Sequence, residues 1–92
     1  MSPATPAIAP RLHPKARLQR DDVRGRDVLL YPEGLVTLNP SAAEILGLCD
    51  GVRSLADIVA TLEQRYGARG LERDVSGFLD GLAAKGLVVY GP

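Results

Sequence analysis

Two hydrophobic periods divide the chain. Up to residue 38, apolar residues alternate with polar ones or cluster in short runs; from residue 40 they recur every three or four positions. In the first part, residues 15–20 (KARLQR) set Ala16 and Leu18 against charged neighbours and predict a short edge strand. Residues 21–27 are charged, contain Gly25 and predict a loop. Residues 28–38 (VLLYPEGLVTL) are two apolar runs split by Pro32-Glu33-Gly34. Proline presets φ for a turn, and glycine supplies the freedom that turns often need. A β-hairpin follows, with strands at 28–31 and 35–38.

The helical period opens on capping signals. Asn39-Pro40 offers an N-cap and a proline tolerated at the first helical position, while Ser41 with Glu44 offers a capping box instead. Ala42, Ile45, Leu46 and Cys49 form the apolar side of this first helix, which is expected to stop at Asp50-Gly51. Ser54 opens a second helix, whose Leu55, Ile58, Val59, Leu62 and Tyr66 make an amphipathic stripe ending at Gly67. The third helix runs from Leu71 to Lys85, with Leu71, Val75, Phe78, Leu79 and Leu82 on one face and Gly86 as its stop. Residues 87–90 (LVVY) predict a short terminal strand or an extended tail. The order predicts an α+β, winged-helix-like fold: a small antiparallel β-sheet or hairpin followed by a three-helix bundle.

Composition narrows the function. At 92 residues the chain makes one domain with a single core. Pro3, Pro6, Pro10 and Pro14 mark residues 1–14 as a flexible Pro-rich tail, which leaves residues 15–92 as the folded, winged-helix-like domain. No apolar run approaches the ~18 residues of a membrane span. The N-terminus lacks the basic start and apolar stretch of a signal peptide, so no membrane partner is expected and the compartment is the cytoplasm. The net charge of zero is unevenly spread. Residues 1–26 hold six basic and two acidic side chains, a balance of +4; residues 27–92 hold five and nine, a balance of −4. A basic head of this kind suits an acidic surface on a partner.

Catalysis finds no constellation to rest on. His13, the only histidine, falls in the Pro-rich tail, where a general base has neither a fixed position nor a tuned pKa. Cys49, the only cysteine, lies on an apolar side with no histidine to activate it, and reads as a small buried residue. Glu33 and Asp50 each precede a glycine, and turn duty accounts for both. The chain is therefore expected not to be an enzyme and to hold no cofactor or metal. A winged-helix DNA-binding regulator is the alternative. Its recognition helix would be the third, where Arg73 and Lys85 stand against Glu72, Asp74 and Asp80, a net of −1. Duplex binding rests on several Lys or Arg neutralising phosphates, so nucleic acid is not the expected partner.

Peptide recognition fits better. Leu35, Val36, Thr37 and Leu38 make a short β-favouring strand with no charge, proline or further glycine to guard its edge. Such an edge accepts a strand from another chain. Val75, Phe78, Leu79 and Leu82 add an apolar helix face, and Gly77, Gly81 and Ala84 on the opposite side let another backbone come close. Exchange of the Pro-rich arms between two copies would also make a homodimer.

These residues resemble the PqqD family, the peptide chaperones of pyrroloquinoline quinone (PQQ) biosynthesis. The resemblance spans residues 11–90. It rests on LLYPEG (Leu29 to Gly34), LNPSAAEILGLCDG (Leu38 to Gly51), RSLADI (Arg53 to Ile58) and DVSGFLDGLAAKGLV (Asp74 to Val88), in this order and spacing. It implies a recognition element for ribosomally synthesised, post-translationally modified peptides (RiPPs), a module that binds the leader of a precursor peptide. It further implies that the precursor is PqqA. The module would present it to PqqE, a radical S-adenosylmethionine (SAM) enzyme that links a Glu and a Tyr side chain within it. In the wider family the leader adds beside the third strand and lies against the third helix. Carried over, these are Leu35 to Leu38 and Asp74 to Lys85, which adds Asp74 to the peptide-binding residues. Another ribosomally made peptide is the alternative guest.

Overall fold

The computed structural model describes residues 7–90. Its elements follow in the order β1 (Pro10–Leu12), β2 (Arg17–Asp21), β3 (Arg26–Tyr31), β4 (Gly34–Leu38), α1 (Pro40–Gly47), α2 (Leu55–Tyr66), α3 (Glu72–Ala84) and β5 (Val88–Tyr90). The α+β expectation holds. β2, β3 and β4 form an antiparallel meander, and β1 pairs antiparallel with β5 in a separate two-stranded sheet.

β3 begins at Arg26, inside the stretch expected to be a loop. The cause lies across the strands: Arg20 faces Asp27 and Asp21 faces Arg26, with Arg20 Nη1 3.4 Å from Asp27 Oδ2. Opposite charges placed directly across a ladder stabilise it by roughly 0.2–1 kcal/mol relative to Ala–Ala. The turn is reduced to Asp22–Gly25, and Asp21 Oδ1 holds it by accepting the N–H groups of Val23 and Arg24 at 3.2 and 3.3 Å.

The helices start where the caps predict. Asn39 Oδ1 accepts the Ala42 N–H at 2.7 Å and Pro40 takes the first helical position, so the Asn39 cap prevails over the Ser41–Glu44 box. α1 stops at Gly47 rather than Asp50-Gly51, because the Leu48 and Cys49 N–H groups turn back onto the Ile45 and Leu46 carbonyls. Ser54 and Asp57 form the capping box of α2, and Gly67 ends it in the left-handed conformation at φ 61°. α3 has no side-chain cap of its own; Glu63 of α2 accepts the N–H of Leu71 at 3.1 Å.

The expectation of a flexible tail through residue 14 is corrected from Ile8 onward. The Ile8 carbonyl accepts the Leu55 N–H at 2.7 Å, the Pro10 carbonyl accepts the Gly51 N–H at 3.0 Å, and the His13 N–H donates to the Leu87 carbonyl at 2.9 Å. Pro10 is fully buried. Proline is tolerated in a strand where its missing donor is not needed by the ladder. Gly51 receives this arm closely: its φ is 79°, and a Cβ there would stand 3.3 Å from Arg11 Cδ. The rest of the expected tail, residues 1–6, lies outside the described residues.

The core sits where the three-stranded sheet meets the helices. α1 lies against β2, β3 and β4, while α3 lies against α2 and β5. Leu29, Leu46, Leu55, Ile58, Leu62 and Leu79 are fully buried. Each aliphatic side chain so buried contributes about 1.5–3 kcal/mol. Side chains alternate across a strand, so Leu18, Leu29, Val36 and Leu38 face this core, while Leu30, Leu35, Val28 and Thr37 face the other way.

Candidate peptide-binding edge

Among the described residues β4 is the outermost strand of its sheet and pairs only with β3. The turn Pro32-Glu33 makes its flanking residues, Tyr31 and Gly34, the first hydrogen-bonded pair. Bonded and non-bonded pairs then alternate. Val36 and Leu38 bond to Leu29 and Asp27, whereas Leu35 and Thr37 point their N–H and C=O groups away from β3. No described backbone group pairs with that outer ladder. The strand carries no lysine or proline, the usual guards against strand addition.

At its C-terminal end β4 leads through Asn39 into α1, and there the surface opens into a cavity of about 220 Å³. Ser41 and Ile45 of α1, Leu62 and Tyr66 of α2, Leu71, and Asp74 and Val75 of α3 line it. Small-molecule sites usually span ~300–1,000 Å³. This space is on the scale of side chains, and most of its wall is aliphatic.

One wall is fixed by a polar cluster. The Tyr66 hydroxyl donates to Glu44 Oε1 and Arg65 Nη1 donates to Glu44 Oε2, which ties α2 to α1. The Tyr66 hydrogen bond, seconded by Arg65, holds the Glu44 carboxyl below its ordinary range. Glu44 in turn raises the Tyr66 hydroxyl. A carboxyl depressed in the folded state stabilises the fold above its unfolded pKa, and that contribution fades as pH falls through the folded value. Tyr66→Phe should therefore move the Glu44 carboxyl upward in an NMR pH titration. An unmoved carboxyl would show that the hydroxyl does not bond there.

The residues expected to meet a peptide divide by burial. Leu38, Val75, Leu79 and Leu82 are between 0% and 6% exposed, so their side chains belong to the core, although Val75 also lines the cavity. Leu35, Thr37 and Asp74 are exposed, and Val36 and Phe78 are half-buried. The structure does not bring the β4 group and the α3 group into one pocket: Asp74 and Val75 line the cavity and no β4 residue does, with α1 against β4 and α3 packed mainly on β5 and α2. Sequence reasoning misses Ser41 as a lining residue. It also reads Ile45, Leu62, Tyr66 and Leu71 only as apolar helix faces, because periodicity does not show where packing leaves a gap.

The residues weighed for catalysis have structural places. Cys49 is buried and donates its Sγ–H to the Ile45 carbonyl at 3.2 Å; burial pushes its thiol up to about 12. At neutral pH it is a thiol, and the nucleophile is the thiolate. His13 Nδ1 accepts the Lys15 N–H at 3.0 Å. Among the described residues, no group of three His, Cys, Asp or Glu side chains is placed to hold a metal ion.

Similarity to known proteins adds what geometry lacks. The sequence pattern of Coenzyme PQQ synthesis protein D (PqqD) matches residues 27–88. The chain belongs to the PqqD family. A PqqD relative from Methylococcus capsulatus, a PqqA binding protein, is 44% identical over 77 residues, covering 84% of this chain and 83% of its own. A PqqA binding protein from Azotobacter vinelandii is 48% identical over 81 residues, covering 87% and 88%. The solution NMR structure of the PqqD truncation of Methylobacterium extorquens PqqCD superposes with a TM-score of 0.79 at 35% identity, covering 94% of both chains. That protein is described as a functional, stand-alone RiPP recognition element. The crystal structure of PqqD from Xanthomonas campestris gives a TM-score of 0.57 at 37% identity, over 83% of this chain and 87% of that one. The PqqD resemblance carried by the motifs is thereby established, and with it the place of this fold in PQQ biosynthesis.

Proposed function

We propose that this chain is a non-catalytic chaperone for the PqqA precursor peptide, and the open outer ladder of β4 carries the reading. A stretch of PqqA adds there as a fourth strand and bonds to the outward N–H and C=O groups of Leu35 and Thr37. Continuing past Asn39, it places an apolar side chain in the cavity beside Asp74 and Val75, within reach of Phe78. The PqqA-binding relatives support the identity of the guest. Roughly four backbone bonds at a net ~0.5–1.5 kcal/mol each total about 2–6 kcal/mol, and ordering the peptide offsets part of that. Apolar contact in the cavity supplies the remainder, which sets the dissociation constant around micromolar or tighter.

The loaded module presents PqqA to PqqE, the radical SAM enzyme, in the cytoplasm. Holding the leader raises the effective concentration of the reacting segment at the enzyme, and positioning is all that this role demands. Among the described residues no helix is long and apolar enough to cross a membrane. The test is an NMR titration of isotope-labelled protein with unlabelled PqqA. The amides of Leu35, Thr37 and Asp74 to Phe78 should shift together. Shifts confined to α2 and the β1–β5 sheet would refute the proposed edge.

A further inference from the structure

The outer face of the β2-β3-β4 sheet carries no helix, since α1 lies on the core side. Cross-strand partners share a face, so Arg17, Leu30 and Leu35 form one row there and Gln19, Val28 and Thr37 the next. The solvated face of an antiparallel sheet is ordinarily polar. Here Leu35 is 56% exposed and Leu30 half-buried, with Val28 beneath them. The β2–β3 turn adds Val23, which is 95% exposed although Asp21 fixes the turn that bears it. A valine held out in this way contributes almost nothing to the core. These side chains line a groove of about 430 Å³ together with Arg20, Arg24 and Arg26 and with Asp21 and Asp22, of which Asp21 turns its carboxylate onto the N–H groups of the turn. Arg20 is paired with Asp27, whereas Arg17, Arg24 and Arg26 form no ion pair among the described residues.

Charge separates the two halves of the domain. Residues 7–31 hold six basic and three acidic side chains, a balance of +3; residues 32–90 hold five and eight, a balance of −3. Apolar side chains flanked by arginines that outnumber the acidic residues beside them match the composition of a protein interface. Phosphate-backbone binding rests on several basic contacts rather than an apolar centre.

We propose that this face docks an acidic protein surface with an apolar centre, the surface of the enzyme to which the guest is presented. The proposal rests on the presenting role given above and names the surface that performs it. A guest strand on β4 widens the face by one strand, and its alternate side chains continue the rows that end at Leu35 and Thr37. The docking surface is complete only when the guest is in place. Loading therefore tightens docking, and docking tightens guest binding by the same factor.

The test uses the full chain with PqqA and PqqE. In the triple variant Arg17→Glu, Val23→Asp, Arg24→Glu, which leaves the cross-strand Asp21–Arg26 pair in place, PqqA affinity should stay within about twofold, while PqqE affinity falls by at least about tenfold. Wild-type affinity for PqqE should rise when PqqA is saturating and fall as salt is raised. All three positions are exposed, and circular dichroism should show the fold intact. Undiminished PqqE binding by the variant would overturn the proposal, as would a wild-type protein that does not bind PqqE. Loss of a duplex oligonucleotide in place of PqqE would overturn it too, by making the face a nucleic-acid site. PqqE docking is measured with and without peptide, so failure of PqqA to bind would sink the chaperone reading separately.

Discussion

Thr37→Pro should weaken PqqA binding roughly 10–100-fold and leave the hairpin paired. The Thr37 N–H points away from β3, so its loss takes nothing from the native ladder. Proline deletes that donor, strands a guest carbonyl and sets its ring where the guest backbone must approach. An unsatisfied buried acceptor costs about 1–3 kcal/mol, and each ~1.4 kcal/mol is tenfold in affinity. Leu35→Pro should act alike, and the double variant should abolish binding. Val36→Pro is the contrasting case, because its N–H bonds to Leu29 and its loss destabilises the hairpin itself. Titrating labelled PqqA against each variant, with a thermal melt of each, separates the two effects. Wild-type affinity in a folded Thr37→Pro protein would mean that the guest does not lie along β4.

Leu79→Ala should cause the largest loss of stability. Leu79 is fully buried on α3, with Val75 and Leu82 buried on the same helix. Truncating such a side chain removes its transfer energy and leaves a cavity, at about 2–5 kcal/mol. A domain of this length has roughly 5–14 kcal/mol in total. The urea midpoint should fall sharply with an unchanged slope. Gly81→Ala on the same helix should move the midpoint the other way, by about 0.5–1 kcal/mol. Its added Cβ meets open space. A Leu79→Ala midpoint close to wild type would show that α3 does not anchor the core.

The two expectations draw on different layers of what the chain encodes. The helix starts were legible because caps are local: Asn39 with Pro40, and Ser54 with Asp57, sit within a turn of the groups they bond. The hairpin turn at Pro32-Glu33 was legible for the same reason. The start of β3 was not, because Arg26 and Asp27 look like loop until Asp21 and Arg20 are set opposite them. β1 was hidden twice over, by Pro10 and by a partner strand at the far end of the chain. The β4 edge was visible as an unguarded strand, but which amides face outward depends on ladder phase, and that needs the register. The α3 residues show a further limit. Val75, Phe78, Leu79 and Leu82 share a helical face, and such a stripe serves the core before it serves a guest; of these only Phe78 escapes full burial.

The seam between β1 and β5 decides how the domain can be tethered. Pro10 and Tyr90 stand opposite each other, so the strands nearest the two termini run out at one corner. The guest's edge belongs to the other sheet. A linker sewn to Pro10 or to Tyr90 starts from the same seam, and the module can be loaded while held by β1 or by β5. A splice made across this seam, joining the residues beside Pro10 and Tyr90, would turn the domain into a ring. The unfolded ring would have fewer shapes to explore than the open chain, while the peptide's berth would be untouched.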